Sequence, residues 1–244
     1  MTRASVCMAT FNGMKFVREQ VDSILAQLGA DDELIVADDA SDDGTPDIVA
    51  ALGDPRIRLL RNGFRNITRN FESALGEARG DFIFLSDQDD IWLDGKVQIT
   101  LNLLAGHQLV LSDCLVVGES GEVLQPSYFD ALGSASGLLR NFWRNSYLGC
   151  CMAFRRSLLK VALPIPNGVA HDYWIGMVAE LTDRPYFLDR PLVAYRRHGS
   201  TASFAARRSG RTLIERLVSR AVLAGRLAVR AIDLKLRRFE LEGQ

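Results

Sequence analysis

The residues best suited to chemistry are acidic and grouped. Asp87-Gln88-Asp89-Asp90 sets three carboxylates within four residues. At that spacing they repel one another, and a half-buried set is tolerated only with a cation. Hard oxygen ligands select Mg²⁺ or Mn²⁺, ions that bridge readily to a diphosphate. A solvated acidic turn is the other reading of the same four residues. Asp38-Asp39 is a second group, able to accept hydrogen bonds from a nucleobase or ribose, or to cap a helix. Thr10 and Asn12 stand beside Gly13, and Asn-Gly is a strong turn pair.

The elements around these groups alternate. Ala4 to Thr10 reads as a buried strand. Over 14–28, Phe16, Val17, Val21, Ile24, Leu25 and Leu28 share one helical face. Residues 33–37 form a second strand that ends in Asp38-Asp39, a short helix runs from Pro46 to Leu52, and residues 57–60 form a third strand. Residues 67–79 read as a helix closed by Gly80, and a fourth strand over 81–86 runs into the acidic tetrad. Continuously apolar strands between amphipathic helices predict an α/β fold with a mostly parallel sheet covered on both faces. The polar groups then collect at the C-terminal strand ends, the ligand-binding edge of such sheets. Beyond residue 107 the pattern loosens. Strands at 109–111 and 115–117 beside a 118–121 turn point to a small antiparallel addition. Helices are expected at 138–143 and 171–182, and a last strand at 192–195.

In this order and spacing the segments resemble the family-2 inverting glycosyltransferases of the GT-A, Rossmann-like fold. The resemblance runs through Ala9-Thr10-Phe11-Asn12-Gly13, then Val36 to Thr45, then Asn70-Phe71 with Ala78-Arg79-Gly80-Asp81. It continues in Leu85 to Trp92, whose Ser86-Asp87-Gln88-Asp89-Asp90 has the form common among rhamnosyltransferase-like members, and in Gly149 to Phe154. His171-Asp172-Tyr173-Trp174 is similar to the family's base motif, and Tyr195-Arg196-Arg197-His198-Gly199 to its C-terminal motif. The match covers about residues 4–204.

The resemblance implies transfer of a sugar from a dTDP- or UDP-linked donor to a hydroxyl of a glycan or lipid-linked glycan, with inversion. L-rhamnose is the sugar the subgroup points to. It implies Asp172 as the base, Asp89, Asp87 and His198 around Mn²⁺ or Mg²⁺, and Arg196 and Arg197 at the diphosphate. Thr10, Asn12, Asp38, Asp39, Asn70 and Asp87 fall to the nucleotide, and Gly149, His171 and Trp174 to the donor or acceptor sugar. The chemistry asks for no more: charge builds on a leaving phosphate, so a cation replaces a glycosidase's acid, and one base remains necessary. A helix N-terminus favours the ionised form of such a base. His198 read alone is equally a surface loop residue, and each Trp is equally a packing residue.

Composition limits the alternatives. The chain has 244 residues, 48% apolar and 24% charged, with formal net charge −1. That excludes disorder and a generally basic nucleic-acid binder. Cys7, Cys114, Cys150 and Cys151 have neither zinc-knuckle nor loop-closing spacing and read as buried thiols of a reducing compartment. The five-residue apolar start is too short for a signal peptide or a membrane span, so a cytoplasmic protein is expected, free or peripheral at the membrane's inner face. The net charge divides unevenly: residues 1–204 carry −7, and residues 205–244 carry +6 with ten basic and four acidic side chains. This predicts a catalytic domain over 1–204 and a basic amphipathic helical segment over 205–244. Its expected apolar face is Leu213, Ile214, Leu217, Ala221, Ala224, Ala228, Ala231 and Ile232, opposite Arg216, Arg220, Arg226, Arg230 and Arg237. Such a helix suits an anionic membrane surface, packing on the domain, or a dimer. A sugar nucleotidyltransferase would carry a Gly-rich basic first loop, whereas this one has one Lys and one Gly. A phosphorylation-dependent receiver would close its first strand with the acidic pair, and here the second strand carries it.

Overall fold

The computed structural model describes residues 4–199 and 213–242, and within the last helix the side chains of 220–235. The first half alternates as its apolar runs require: β1 (Ala4–Thr10), α1 (Val17–Leu25), β2 (Glu33–Asp39), α2 (Thr45–Ala51), β3 (Ile57–Asn62), α3 (Ile67–Glu77) and β4 (Phe82–Ser86). There follow β5 (Ile91–Trp92), α4 (Lys96–Leu104), β6 (Leu109–Val117), β7 (Val123–Gln125), α5 (Tyr128–Leu132) and α6 (Leu138–Trp143). The chain continues with β8 (Met152–Arg155), α7 (Leu159–Ala162), α8 (His171–Thr182), β9 (Tyr186–Arg196) and α9 (Leu213–Glu242).

Among the described residues these strands form one mixed sheet in the order β3-β2-β1-β4-β8-β6-β9-β5, with β7 beside β6. β3, β2, β1 and β4 are parallel, and β8 is antiparallel to both of its neighbours. From β1 the chain moves outward to β2 and β3, then returns to place β4 on β1's other side. The C-terminal ends of β1 and β4 therefore flank the switch point where an open α/β sheet holds its ligand. β1 and β2 are buried at every position, as the unbroken apolar runs require.

Several elements differ from the sequence reading for identifiable reasons. The two short strands expected at 109–111 and 115–117 are one strand, β6, whose pairing with β9 shifts register around Ser112-Asp113. Asp113 is buried there and accepts the backbone N–H groups of Tyr128 and Phe129, both at 3.0 Å, which holds the start of α5. β9 begins six residues before the expected 192, because Pro191 sits at the same irregularity and reads in sequence as a break. Helix α3 ends at Glu77 with an extended Ala78, so Gly80 is not its cap. Gly80 instead packs against β1: a Cβ there would lie 2.7 Å from the Ala4 carbonyl carbon and the Ser5 nitrogen, and its N–H donates to Ser5 Oγ at 2.8 Å.

The C-terminal helix corrects the expected faces. The side chains turned inward on α9 are Leu223 and Leu227, with Arg220 and Arg230 partly covered, while Ala221, Ala224, Ala228 and Ile232 are exposed. Arg220 bonds Tyr173 Oη and the Trp143 carbonyl, and Arg230 donates to the carbonyls of Leu163 and Pro164 at 3.2 and 3.1 Å. An arginine's long aliphatic stem covers apolar surface while its head reaches carbonyls, so a helical wheel that assigns every arginine to solvent misplaces the face. The boundary at 204/205 lies outside the described residues, as do the side chains of Leu213, Ile214, Leu217, Arg216 and Arg237. Among the described residues no helix is long and apolar enough to cross a membrane.

Because the atoms facing Gly80 are backbone, they cannot rotate away from a new methyl group. Gly80→Ala is expected to lower the unfolding free energy by about 1–3 kcal/mol, read from urea denaturation midpoints at unchanged m-value. Gly76→Ala, which meets nothing within 4 Å, should cause no such loss.

Candidate active site

The first wall of the crevice is the β1–α1 turn laced to the β2–α2 loop. Thr10 and Asp38 are register partners, and Thr10 Oγ1 donates to Asp38 Oδ1 at 2.9 Å. Ser41 adds its hydroxyl to the same oxygen at 2.6 Å and its N–H to Oδ2 at 3.0 Å. Asn12, at φ 48°, takes up Ser41 through its N–H and receives Asp42 N–H on Oδ1. A left-handed backbone is one Asn adopts more readily than most residues, which is why the turn pair begins with it. Gly13 N–H reaches Thr45 Oγ1, and Met14 N–H reaches Asp43 Oδ2.

The residues expected at the nucleotide divide between surface and floor. Asn12 lies exposed on the rim, whereas Thr10, Asp38, Asp39 and Asn70 are buried. Asp39 spends its two oxygens on the N–H groups of Arg65 and Asn66, at 2.9 and 2.7 Å, which ties β2 to the start of α3. Asn70 Nδ2 donates to the Ala37 carbonyl at 2.6 Å, and its Oδ1 receives Asn62 Nδ2 at 2.9 Å. The expectation that Asn70 faces the nucleotide is therefore corrected: its polar atoms stitch α3 to β2 and β3.

The opposite wall is the acidic tetrad after β4. Gln88 bridges the two walls, accepting Phe11 N–H on Oε1 at 2.8 Å and donating Nε2 to the Phe11 carbonyl at 3.0 Å. Burial and the nearby charges of Asp89 and Asp172 push the Asp87 carboxyl up to about 8. Burial pushes Asp90 up as well, with Asp89 and Asp87 adding to the rise. Asp90 Oδ1 accepts Arg196 N–H at 3.0 Å, while its buried Oδ2 has no partner among the described residues. The ligand atoms of Asp87, Asp90 and Cys150 lie within 4.8 Å of one another, but the contact with Cys151, together with burial, holds the Cys150 thiol in its protonated form.

The end of β9 closes over this loop. His198 Nε2 lies 2.8 Å from Asp89 Oδ2, its ring against Phe16 with centroids 4.8 Å apart. The expectation that Arg196 meets a diphosphate is corrected. It is buried, and its guanidinium donates to the Asp89 and Glu119 carbonyls and to Glu19 Oε2 over the Phe16 ring. It clamps the acidic loop from outside. Arg197 remains exposed, held by its N–H on the Val117 carbonyl.

Asp172 stands in the first turn of α8, where Oδ1 accepts Tyr173 N–H at 2.7 Å. His171 is buried, stacked on Phe71 with centroids 3.9 Å apart, and both ring nitrogens lack partners among the described residues. Burial lowers its pKa, which keeps the ring neutral. Gly149 comes close to both residues: a Cβ there would lie 3.1 Å from His171 Nε2 and 3.5 Å from Asp172 Cβ. The expectation of Trp174 as a sugar contact is corrected, since the ring is fully enclosed and its Nε1 donates to the Ala162 carbonyl at 2.7 Å.

Sequence reasoning missed Gln88 and Lys96. Lys96 is 1% exposed, its Nζ donating to the Cys150 carbonyl at 3.1 Å over the Trp92 ring. A lysine opening a helix gives no sign of burial, whereas Gln88, set among carboxylates, could have been singled out as the member that carries no charge.

The assembled crevice has a hydrogen-bonded turn on one wall, a crowded acidic loop on the other and a carboxylate on the first turn of α8. A family model described as "Glycosyl transferase family 2" matches residues 5–162. The chain is 26% identical over 230 residues to the dTDP-rhamnosyl transferase RfbG of Shigella flexneri, covering 82% of this chain and 76% of that one. It is 34% identical over 123 residues to the succinoglycan biosynthesis protein ExoO of Rhizobium meliloti. That match covers 48% of this chain and 35% of the relative, so the chain spans well under two thirds of that relative's length. Among solved structures, S. aureus TarS 1–349 in complex with UDP-GlcNAc superposes with TM-score 0.69 at 21% identity, over 91% of this chain and 66% of that one. The mannosyltransferase PcManGT of Pyrobaculum calidifontis, in complex with GDP-Man and Mn²⁺, gives 0.62 at 21% identity, over 84% and 59%. With the family model spanning the whole nucleotide turn, the acidic loop and the Gly149 turn, the chain belongs to the family-2 glycosyltransferases and has their GT-A fold.

Proposed function

We propose that this protein transfers a sugar, L-rhamnose being the first candidate, from a dTDP- or UDP-linked donor to a hydroxyl of a glycan or lipid-linked glycan, inverting the anomeric carbon. One observation carries this reading most: the Gly149-Cys150 turn joins the acidic loop to the candidate base, with Cys150 Sγ within 4.8 Å of the Asp87 and Asp90 oxygens and a Cβ at Gly149 only 3.5 Å from Asp172 Cβ. The rhamnosyl transferase named above, similar over most of both chains, supports the choice of sugar.

In this reading the β1–α1 turn and the β2–α2 loop hold the nucleoside, with Asn12 on the rim and the buried Thr10–Asp38 pair fixing the turn from beneath. Arg197 lies at the diphosphate. The acceptor oxygen bonds to the anomeric carbon as the carbon–phosphate oxygen bond breaks, and the acceptor proton passes to Asp172. Neutral His171, buried against Phe71 and packed close to Gly149, shapes the wall of the sugar pocket beside Asp172. Asp89, Asp87 and His198 suit a divalent cation, Mn²⁺ or Mg²⁺. The fit rests on the raised Asp87 carboxyl and the unpartnered Asp90 oxygen, both signs of negative charge in excess of its partners. When bound, the cation neutralises charge on the departing diphosphate.

Two measurements test these roles. Asp172→Asn should lower kcat by roughly 10²–10⁴-fold, with calorimetric affinity for UDP or dTDP in the presence of Mn²⁺ unchanged. Near-normal turnover in that variant removes the base assignment. A carboxyl raised on folding binds its proton more tightly in the folded state, so the protein without metal should lose stability as pH rises from about 4 to about 8. Thermal melts should therefore show a lower Tm at the upper end of that window, and Mn²⁺ should restore it there. Equal melts across the window, with and without Mn²⁺, would count against the metal site.

A further inference from the structure

Helix α6 carries an unusual surface beside the base-bearing helix. Leu139 is 76% exposed and Trp143 65% exposed, one helical turn apart; Arg140 stands beside them on the helix and Arg144 is its extended C-terminal cap, both exposed. Neither arginine is ion-paired among the described residues. The other two tryptophans, Trp92 and Trp174, are buried, so this one is placed in water at a cost that packing does not offset. Phe142 braces its ring edge-on, with centroids 5.3 Å apart.

Two further features bear on what meets this patch. From Ala131 to His171 the chain has no acidic residue, against five basic ones, although acids slightly outnumber bases in the whole. α6 is also bound to the catalytic helix, since Tyr173, adjacent to Asp172, bonds the carbonyls of Asn141 and Phe142 at 3.1 Å each. Helix α9 has outward apolar residues too, Val222, Val229 and Ile232, but Asp233 lies beside the last of them. Among its described side chains the outer surface of α9 is therefore not uniformly basic.

We infer that α6 is a membrane-docking patch: Trp143 and Leu139 enter the interfacial layer of an anionic bilayer while Arg140 and Arg144 bind its headgroups. Tryptophan with a small aliphatic anchor prefers that layer, and each arginine adds attraction to anionic lipid. Through Tyr173 this sets the Asp172 end of α8 against the lipid surface, where a lipid-linked acceptor presents its hydroxyl. The inference rests on the proposed acceptor side of the site, and it deepens that reading by selecting the lipid-linked acceptor.

Partition of the full chain onto phosphatidylcholine vesicles, with and without phosphatidylglycerol, tests it without substrate or turnover. Its failure is thereby separate from failure of the transferase reading. Binding should require phosphatidylglycerol and shift tryptophan emission to shorter wavelength, since the two buried indoles give a constant background. Leu139→Ser/Trp143→Ser should weaken partition at least about tenfold, and Arg140→Gln and Arg144→Gln roughly fivefold each. Unchanged circular dichroism and unchanged nucleotide affinity show that these surface variants fold. No binding by the unaltered chain overturns the inference, as does equal partition by the double variant. Light scattering that shows a dimer broken by Trp143→Ser would also overturn it, assigning the patch to a second copy.

Discussion

Negative charge confined at one sheet edge is the constraint around which the molecule is arranged. Asp87, Asp89 and Asp90 follow the end of β4, with Asp172 near enough to influence Asp87. Four carboxylates in so small a volume would drive the loop apart unless other groups held it. Every element arriving late in the chain contributes to that restraint. Arg196 grips the loop through its backbone and through Asp90, His198 meets Asp89, and Lys96 lies buried behind it. The restraints leave part of the negative charge uncompensated, and that excess is what a divalent cation would neutralise.

The division of labour follows from geometry. A guanidinium such as Arg196 offers several donors in a fixed fork, so it can bind two carbonyls and a carboxylate at once. That makes it a good clamp and, once satisfied, a poor ligand for phosphate. The neighbouring Arg197 points to solvent and keeps its guanidinium free of ion pairs among the described residues. The same logic separates Asn12 from Asn70. Each has an amide, but Asn70 faces inward from α3 with its oxygen and nitrogen both engaged, whereas Asn12 sits on the rim.

Much of the fold was legible because the first ninety residues obey two periods cleanly. Apolar runs of strand length alternate with helical stripes, and the acids fall at the strand ends, so a mostly parallel sheet and its ligand edge follow. The acidic tetrad stands out for the same reason, whereas Asp172 and His198 were singled out by the family resemblance. What stayed hidden depends on contacts between distant residues. Pro191 disguises the first half of β9 because its bulge partner, Asp113, is 78 residues earlier. Gly80 looks like a helix stop because the chain it must pass, at Ser5, is remote in sequence. Trp174 looks like a sugar platform because a helical wheel does not reveal that α7 covers it.

The arginines show how far side-chain type alone can mislead. Counting them assigns a strongly positive tail and invites the idea that the tail meets the membrane. Yet two of the four basic residues among its described side chains, Arg220 and Arg230, turn inward to carbonyls, and the outward apolar stripe has an acid beside it. The acid-free stretch from Ala131 to His171 draws no attention in a total, because it holds only five basic residues. Its effect comes from placement: two of the five stand exposed with Leu139 and Trp143, on and directly after the helix that Tyr173 joins to α8 beside Asp172. Exposed charge with no ion-pair partner, next to exposed aromatic surface, is a stronger indicator of a charged surface partner than a larger charge already bonded within the fold.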